Sequence, residues 1–231
     1  MLTLDGLQVR LDKFTLTADF SINAGATVAV IGPSGAGKST LLNTIAGFVT
    51  PAVGRVLWQG RDITRDTPGQ RPVSMVFQDN NLFPHMTAFQ NVAIGLRPSM
   101  HLNSDEQTQV SNALSRVGLA GKEHSKPGAL SGGQQSRVVL ARVLVQKRPL
   151  VLLDEPFSAL GPAMRQEMLD LVAELVADVG ATLLMVSHDP KDALRIASQT
   201  VFINAGAAAE PKDTAQFLSH PPAALRAYLG S

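Results

Sequence analysis

A chain of 231 residues, 45% of them apolar, is long enough for one α/β domain or two small ones and can bury a substantial core. Twenty basic against nineteen acidic residues leave a net charge of +1, so nothing in the overall charge argues for nucleic acid or an anionic membrane, and zero cysteines exclude disulfides and any cysteine-based zinc or redox site. The start Met1-Leu2-Thr3-Leu4-Asp5 does not read as a signal peptide, and no uncharged apolar stretch approaches the roughly 18 residues that span a bilayer, so a membrane role would come through a partner.

Residues 2–23 carry short alternating segments, Leu7-Gln8-Val9-Arg10-Leu11 and Phe14-Thr15-Leu16-Thr17, which predict antiparallel strands. A second such pair is expected at Gly54-Arg55-Val56-Leu57-Trp58, turning at Gln59-Gly60-Arg61-Asp62. Between them the apolar run Thr27-Val28-Ala29-Val30-Ile31 leads into Gly32-Pro33-Ser34-Gly35-Ala36-Gly37-Lys38-Ser39-Thr40, and the helical pattern Leu41, Leu42, Ile45, Ala46 follows. The stretch reads G-x-x-x-x-G-K-S in the strand-loop-helix context that a phosphate loop requires. Gly32, Gly35 and Gly37 let the backbone turn tightly and approach an anion, while the helix beginning near Lys38 adds amides and its positive dipole end. Lys38 is expected to reach the β- and γ-phosphates of a nucleotide, and the Ser39 hydroxyl to ligate Mg²⁺.

From Met86 to Lys147 the pattern is helical, with segments near 104–117 and 134–147; Ser104-Asp105-Glu106-Gln107 resembles a capping start and Gly118 a stop. This predicts a helical subdomain at 85–148 set into a nucleotide-binding core of 1–84 and 149–231, the whole forming one domain. Inside it, Leu130-Ser131-Gly132-Gly133-Gln134 opens a helix with small residues and unpaired amides, a second anion-binding end.

Two further runs, Leu150-Val151-Leu152-Leu153 and Leu183-Leu184-Met185-Val186, are continuously apolar, as parallel strands covered on both faces should be. The first ends in Asp154-Glu155 and the second in Ser187-His188, so Lys38, Asp154, Glu155 and His188 are expected on one sheet edge around one ligand. Asp154 stands where it can hold Mg²⁺, directly or through water, and Glu155 where it can orient and deprotonate an attacking water. Pro162 suits a first helical turn, followed by Met164, Met168, Leu171, Val172 and Leu175 at helical spacing, with both methionines expected in the core. His85, His101, His124 and His220 show no ligand spacing and read as surface residues.

Taken in order, the phosphate loop, Gln78 after Met75-Val76-Phe77, the Leu130-to-Gln134 signature, Leu150 to Glu155, and His188 resemble the ATP-binding-cassette (ABC) ATPases over nearly the whole chain. The resemblance implies an α/β fold: a P-loop NTPase core with a mainly parallel sheet, a flanking antiparallel β-subdomain and an α-helical subdomain. It also implies a head-to-tail homodimer sandwiching two ATP molecules, with Ser131, Gly132, Gly133 and Gln134 contacting the γ-phosphate held by the opposite subunit. Gln78 looks like the family's metal-sensing and partner-sensing glutamine, beside Ser39 and Asp154 at the Mg²⁺, and His188 like its switch histidine.

More narrowly, Gly32 to Phe48, Arg71 to Phe83, and Thr182 to His188 are similar to the ATPase subunits of bacterial thiamine (thiamine pyrophosphate) importers. Asn80, Asn81, Leu82, Phe83 and Pro84 would then grip a coupling helix of a membrane permease. The implied protein is an ATP hydrolase peripheral to the cytoplasmic face of the bacterial inner membrane, with a permease as direct partner, a periplasmic substrate-binding protein as indirect one, and no nucleic acid. Three departures stand out: Gly161 replaces the usual Asp after Ser158-Ala159-Leu160, Leu11 takes the adenine-stacking position with Phe14 nearby, and Ser136 stands where glutamine is common. A large C-terminal regulatory domain of the kind some importer ATPases carry is not expected. The rival readings are a cassette ATPase for another small molecule, a soluble cassette ATPase of DNA repair or ribosome function, and a phosphate-loop kinase, against which the Ser131-to-Gln134 signature argues.

Overall fold

The computed structural model describes residues 1–11, 14–78 and 81–229. In chain order these form β1 (Leu2–Leu11), β2 (Phe14–Ile22), β3 (Thr27–Ile31), α1 (Lys38–Ala46), β4 (Val53–Trp58), β5 (Arg61–Asp62), β6 (Val73–Val76), α2 (Ala88–Leu96), α3 (Ser104–Arg116) and α4 (Gly132–Gln146). There follow β7 (Leu150–Asp154), α5 (Pro162–Val179), β8 (Thr182–Val186), α6 (Pro190–Ile196), β9 (Gln199–Asn204), β10 (Ala207–Ala208), β11 (Lys212–Asp213), α7 (Thr214–Ser219) and α8 (Ala223–Leu229). They gather into two compact units: Met1–Val73 with Pro149–Asp154 and Gly180–Ser231, and Ser74–Arg148 with Glu155–Val179. The second contains residues 85–148 and adds 74–84 and 155–179.

The first unit is built on a sheet whose strands run β5-β4-β1-β2-β10-β9-β3-β8-β7. Its β9, β3, β8 and β7 pair in parallel, and β7 and β8 are buried at every residue, which is why their sequences are apolar without alternation. The β1, β2, β4 and β5 strands pair antiparallel and bury one face. In β2, Leu16, Ala18, Phe20 and Ile22 point inward while Thr15, Thr17, Asp19 and Ser21 face out. In β1 the inward set moves from Leu2 and Leu4 to Leu7 and Val9, because the register slips between Leu4 and Leu7 where Gly6 adopts φ +53°. The antiparallel and parallel parts are one continuous sheet, joined by β10, which is parallel to β2 and antiparallel to β9.

Helix α1 buries Leu41, Leu42, Ile45 and Ala46 and ends on Gly47, whose φ of +91° lets its N–H return to the carbonyls of Asn43 and Thr44. Carbonyls at this end are also bonded by Arg71, the largest fully buried side chain of the described residues. Its guanidinium donates to the backbone oxygens of Thr44 and Ile45 at 2.8 Å each, Asp66 at 3.0 Å and Thr64 at 2.7 Å. Burial pulls the Arg71 guanidinium below its ordinary pKa, opposed by Asp66 and Asp62.

The second unit is helical, with α4 packed against α2, α3 and α5. Helices α2, α3 and α4 each start with a reciprocal capping box: Thr87 with Gln90, Asn103 with Glu106, and Ser131 with Gln134. Helix α3 thus begins at Ser104 as expected, but its cap is Asn103 paired with Glu106 rather than Ser104 paired with Gln107. The Asn103 N–H bonded to the Glu106 carboxylate, more than the ion pair with Arg97, holds that carboxyl below the usual range. Gly118 ends the helix as expected, at φ +73° just past Val117. In α5, Met168, Leu169, Val172, Leu175 and Val176 are buried, whereas Met164 is 40% exposed and is not a core residue. The apolar periodicity marks the correct face, but Met164 lies in the first turn, where that face reaches the surface.

Candidate nucleotide-binding site

The phosphate loop lies between β3 and α1 in the first unit, and its glycines are required rather than tolerated. A Cβ on Gly32 would stand 2.0 Å from the Ile203 carbonyl oxygen, and Gly35 and Gly37 hold φ of +74° and +109°. Gly37 is the N-cap of α1 and supplies no side-chain cap, and the first-turn amides of a helix, which it cannot pair internally, suit an anion. Lys38, 8% exposed, folds back over the loop and donates to the carbonyls of Gly32 and Pro33 at 2.8 and 2.9 Å. The ammonium is thereby held over the concave backbone that would receive phosphate oxygens.

Strand pairing brings Asp154 beside this loop. The ends of β3, β7 and β8 lie side by side on one edge through the registers Val30↔Val186 and Asp154↔Val186. Ser39 Oγ donates to Asp154 Oδ1 at 3.1 Å, and Asp154 is 7% exposed. Two oxygens in adjacent octahedral positions at Mg²⁺ distances of about 2.0–2.1 Å stand about 2.9 Å apart. The Ser39–Asp154 pair therefore fits that ion's hard-oxygen preference and spacing.

His188 occupies the same edge after β8. Its neighbour Ser187 donates its N–H to the Val30 carbonyl at 3.2 Å and its hydroxyl to Asp192 Oδ2 at 2.7 Å, while Tyr228 donates its hydroxyl to the His188 carbonyl at 3.0 Å. The backbone of His188 is thus fixed while its imidazole is exposed. Phe14 stands out in the sequence only as a neighbour of Leu11, yet its ring packs against the phosphate loop itself: Cζ lies 2.7 Å from where a Gly37 Cβ would be. Leu11 is 42% exposed.

The other sequence-predicted residues belong to the second unit. Glu155 begins it, half-buried, with φ +45° in the left-handed region that non-glycine residues seldom adopt. Its carbonyl accepts from the Ser158 N–H and hydroxyl, closing the turn after β7. Gln78 is exposed after β6. At the signature, Ser131 Oγ accepts from the Gln134 N–H at 3.3 Å and Gln134 Oε1 accepts from the Ser131 N–H at 3.0 Å. Both side-chain oxygens thus accept cap bonds, and the amides of Gly132 and Gly133 between them are first-turn groups that an α-helix cannot pair internally. Gly133 is buried under Met164, whose Sδ lies 2.1 Å from a Cβ placed there. Ser136 is buried with its hydroxyl on the Gly132 carbonyl.

Gly161 stands just before Pro162, which opens α5, and an added Cβ there meets nothing within 4 Å. Gly161→Asp should accordingly be accommodated and add a cap at the start of α5. A rise in unfolding free energy of up to about 1 kcal/mol is expected, read as a higher urea midpoint at unchanged m-value.

Of the apolar loop residues, Phe83 is 39% exposed and Pro84 and Asn81 are exposed, while Leu82 is half-buried and so contributes less surface than expected. Asn80 lies outside the described residues. The loop is fastened by Asn91, a residue with no motif to announce it, which is wholly buried; its Oδ1 accepts from the Phe83 N–H, and its Nδ2 donates to the carbonyls of Phe83, Met86 and Thr87. His85, His101, His124 and His220 are exposed. Among the described residues no group of three or more His, Asp or Glu could hold a metal ion, and no helix is long and apolar enough to cross a membrane.

Comparison with known proteins agrees with this geometry. A family model described as ABC transporter matches residues 16–158. The chain is 56% identical over 230 residues to a thiamine import ATP-binding protein ThiQ of Cereibacter sphaeroides, covering 100% of both chains. It is 57% identical over 231 residues to one of a Ruegeria species, again covering 100% of both. Among solved structures it resembles a dimeric post-hydrolysis state of an ATP-binding cassette bound to ADP and Pi, with TM-score 0.80, 28% identity, and coverage of 93% of this chain and 99% of that one.

Proposed function

The chain belongs to the ABC transporter family, and from that premise we propose that it is the ATP-hydrolysing subunit of a thiamine importer. The observation that carries the reading is end-to-end identity above 50% with thiamine import ATP-binding proteins, in a chain whose phosphate loop is built directly against Asp154.

In this reading the loop from Gly32 to Thr40 receives the ATP phosphates on its backbone amides, and Lys38 exchanges the Gly32 and Pro33 carbonyls for β- and γ-phosphate oxygens. Ser39 and Asp154 would hold Mg²⁺, with Gln78 sensing it; the ion supplies neutralisation of charge on the phosphate oxygens. Glu155 accepts a proton from the attacking water as its oxygen bonds to the γ-phosphorus and the bond to the bridging oxygen breaks, giving ADP and phosphate. His188 steadies the γ-phosphate. The signature of a second copy, through the amides of Gly132 and Gly133 beside Ser131 and Gln134, completes each site, which the dimeric relative bound to ADP and Pi supports. ATP closes the dimer because it binds the closed state more tightly, and hydrolysis reopens it.

The loop Asn81-Leu82-Phe83-Pro84, with its exposed aromatic, docks the permease, so the subunit sits on the cytoplasmic face of the inner membrane with a periplasmic binding protein on the other side. Reconstitution of the subunit with its permease in proteoliposomes tests the proposal. Thiamine presented by the binding protein is expected to stimulate phosphate release severalfold over the unstimulated complex. Stimulation by a different small molecule and none by thiamine would overturn the substrate, and failure to co-purify with any integral membrane protein would overturn the transport role.

A further inference from the structure

The signature helix holds the docking loop directly. Arg142 lies on α4 eleven residues beyond Ser131, about 16 Å along the helix axis. Its Nε donates to the Asn91 carbonyl at 2.8 Å, one Nη to Asn91 Oδ1 at 2.8 Å and the other to the Asn81 carbonyl at 3.1 Å. The guanidinium carbon stands 5.8 Å from the centre of the Phe83 ring. One planar group therefore touches Asn81 and Phe83 in the loop and also Asn91, the side chain that fastens the loop from below. None of its three acceptors is a carboxylate, so the grip depends on the direction of each N–H rather than on charge pairing.

A second observation marks the same spot. Gly95 lies near the end of α2 in helical conformation, where glycine lowers helix stability. A Cβ there would stand 2.7 Å from Arg142 Cγ and 3.0 Å from the Arg142 carbonyl oxygen. The missing side chain lets α4 approach α2 closely enough for the Arg142 fork to reach all three acceptors.

We propose that Arg142 is a positioning residue that delivers movement of the signature helix to the permease-docking loop, through a contact set that Gly95 makes room for. The inference rests on the reading of Asn81 to Pro84 as the docking loop. When a nucleotide held by the opposite subunit draws on the amides of Gly132 and Gly133, α4 moves as a rigid rod and Arg142 carries Asn81, Phe83 and Asn91 with it.

The test compares ATP hydrolysis by the thiamine-stimulated permease complex with that of the isolated subunit, using Arg142→Lys, Gly95→Ala and Phe83→Ala. Lysine keeps the charge as a single point donor, and alanine at position 95 keeps every hydrogen-bonding group while forcing the helices apart. Both are expected to assemble with the permease and to lower the ratio of complex to isolated activity by about tenfold. A purely structural role would lower both activities together and leave the ratio unchanged, which overturns the proposal. So would loss of assembly in Arg142→Lys, since the residue would then merely shape the docking surface. Phe83→Ala is expected to weaken co-purification with the permease. If it does so while the other two variants keep the wild-type ratio, the coupling inference alone fails; if it leaves both assembly and ratio unchanged, the docking reading fails and the coupling inference with it.

Discussion

Glu155→Gln is expected to lower steady-state ATP hydrolysis by about 10²–10⁴-fold, the usual contribution of a general base, while ATP still binds. Glutamine has nearly the shape of glutamate and meets the same left-handed backbone at φ +45°, so the turn closed by Ser158 should survive. What it lacks is a lone pair basic enough to take a proton from water. The phosphate loop, Lys38 and the Ser39–Asp154 pair are untouched, so nucleotide enters and the closed dimer accumulates instead of reopening. Phosphate release, equilibrium binding of a fluorescent ATP analogue, and the sedimentation coefficient with saturating magnesium-ATP check the three parts. Steady-state hydrolysis at the wild-type rate would remove Glu155 from its role. A variant that stays monomeric under these conditions, free and beside its permease, would remove the paired-subunit mechanism.

The largest expected effect on stability comes from a residue remote from the reacting atoms. Arg71→Met should cost about 4 kcal/mol, because each buried backbone carbonyl left without a donor costs about 1–3 kcal/mol and local relaxation recovers part of the sum. Against a total of roughly 5–15 kcal/mol that is a large fraction, and it falls on the C-terminal end of the helix that begins in the phosphate loop. Methionine approximates the arginine stem, so the loss reports removal of the guanidinium rather than lost packing of the stem. Urea denaturation should show a midpoint lowered in proportion at similar m-value, with Arg71→Lys recovering only part, since one ammonium cannot span four oxygens on two segments. A loss below about 1 kcal/mol would mean that water replaces the guanidinium and that the four bonds do not anchor α1.

Several features are legible in the chain itself because their physics is local. The alternation in β2, the unbroken apolar runs of β7 and β8, and the Pro162 start of α5 each express one element's burial in consecutive residues. Capping is readable to within one residue, since Asn103 with Glu106 and Ser104 with Gln107 both fit a capping box, and only the folded backbone shows that the first pair forms. Met164 escapes such reasoning because periodicity identifies a helical face but not how far along it the neighbouring element extends. Arg71, Asn91 and Arg142 have no signature at all: their partners are mostly backbone carbonyls, which every residue type carries, so nothing in the chain flags them.

The amino-acid sequence alone determined the phosphate loop and the order of the motifs, since a cradle of amides needs only glycines, a lysine and a helix start placed contiguously. Tertiary structure decided that Asp154 meets Ser39, that Phe14 packs on Gly37, and that single guanidinium groups fasten the end of α1 and the loop around Phe83. Those contacts join segments far apart in the chain, and which groups meet is set by strand register and helix packing, quantities that exist only once the whole sheet and helical cluster have assembled.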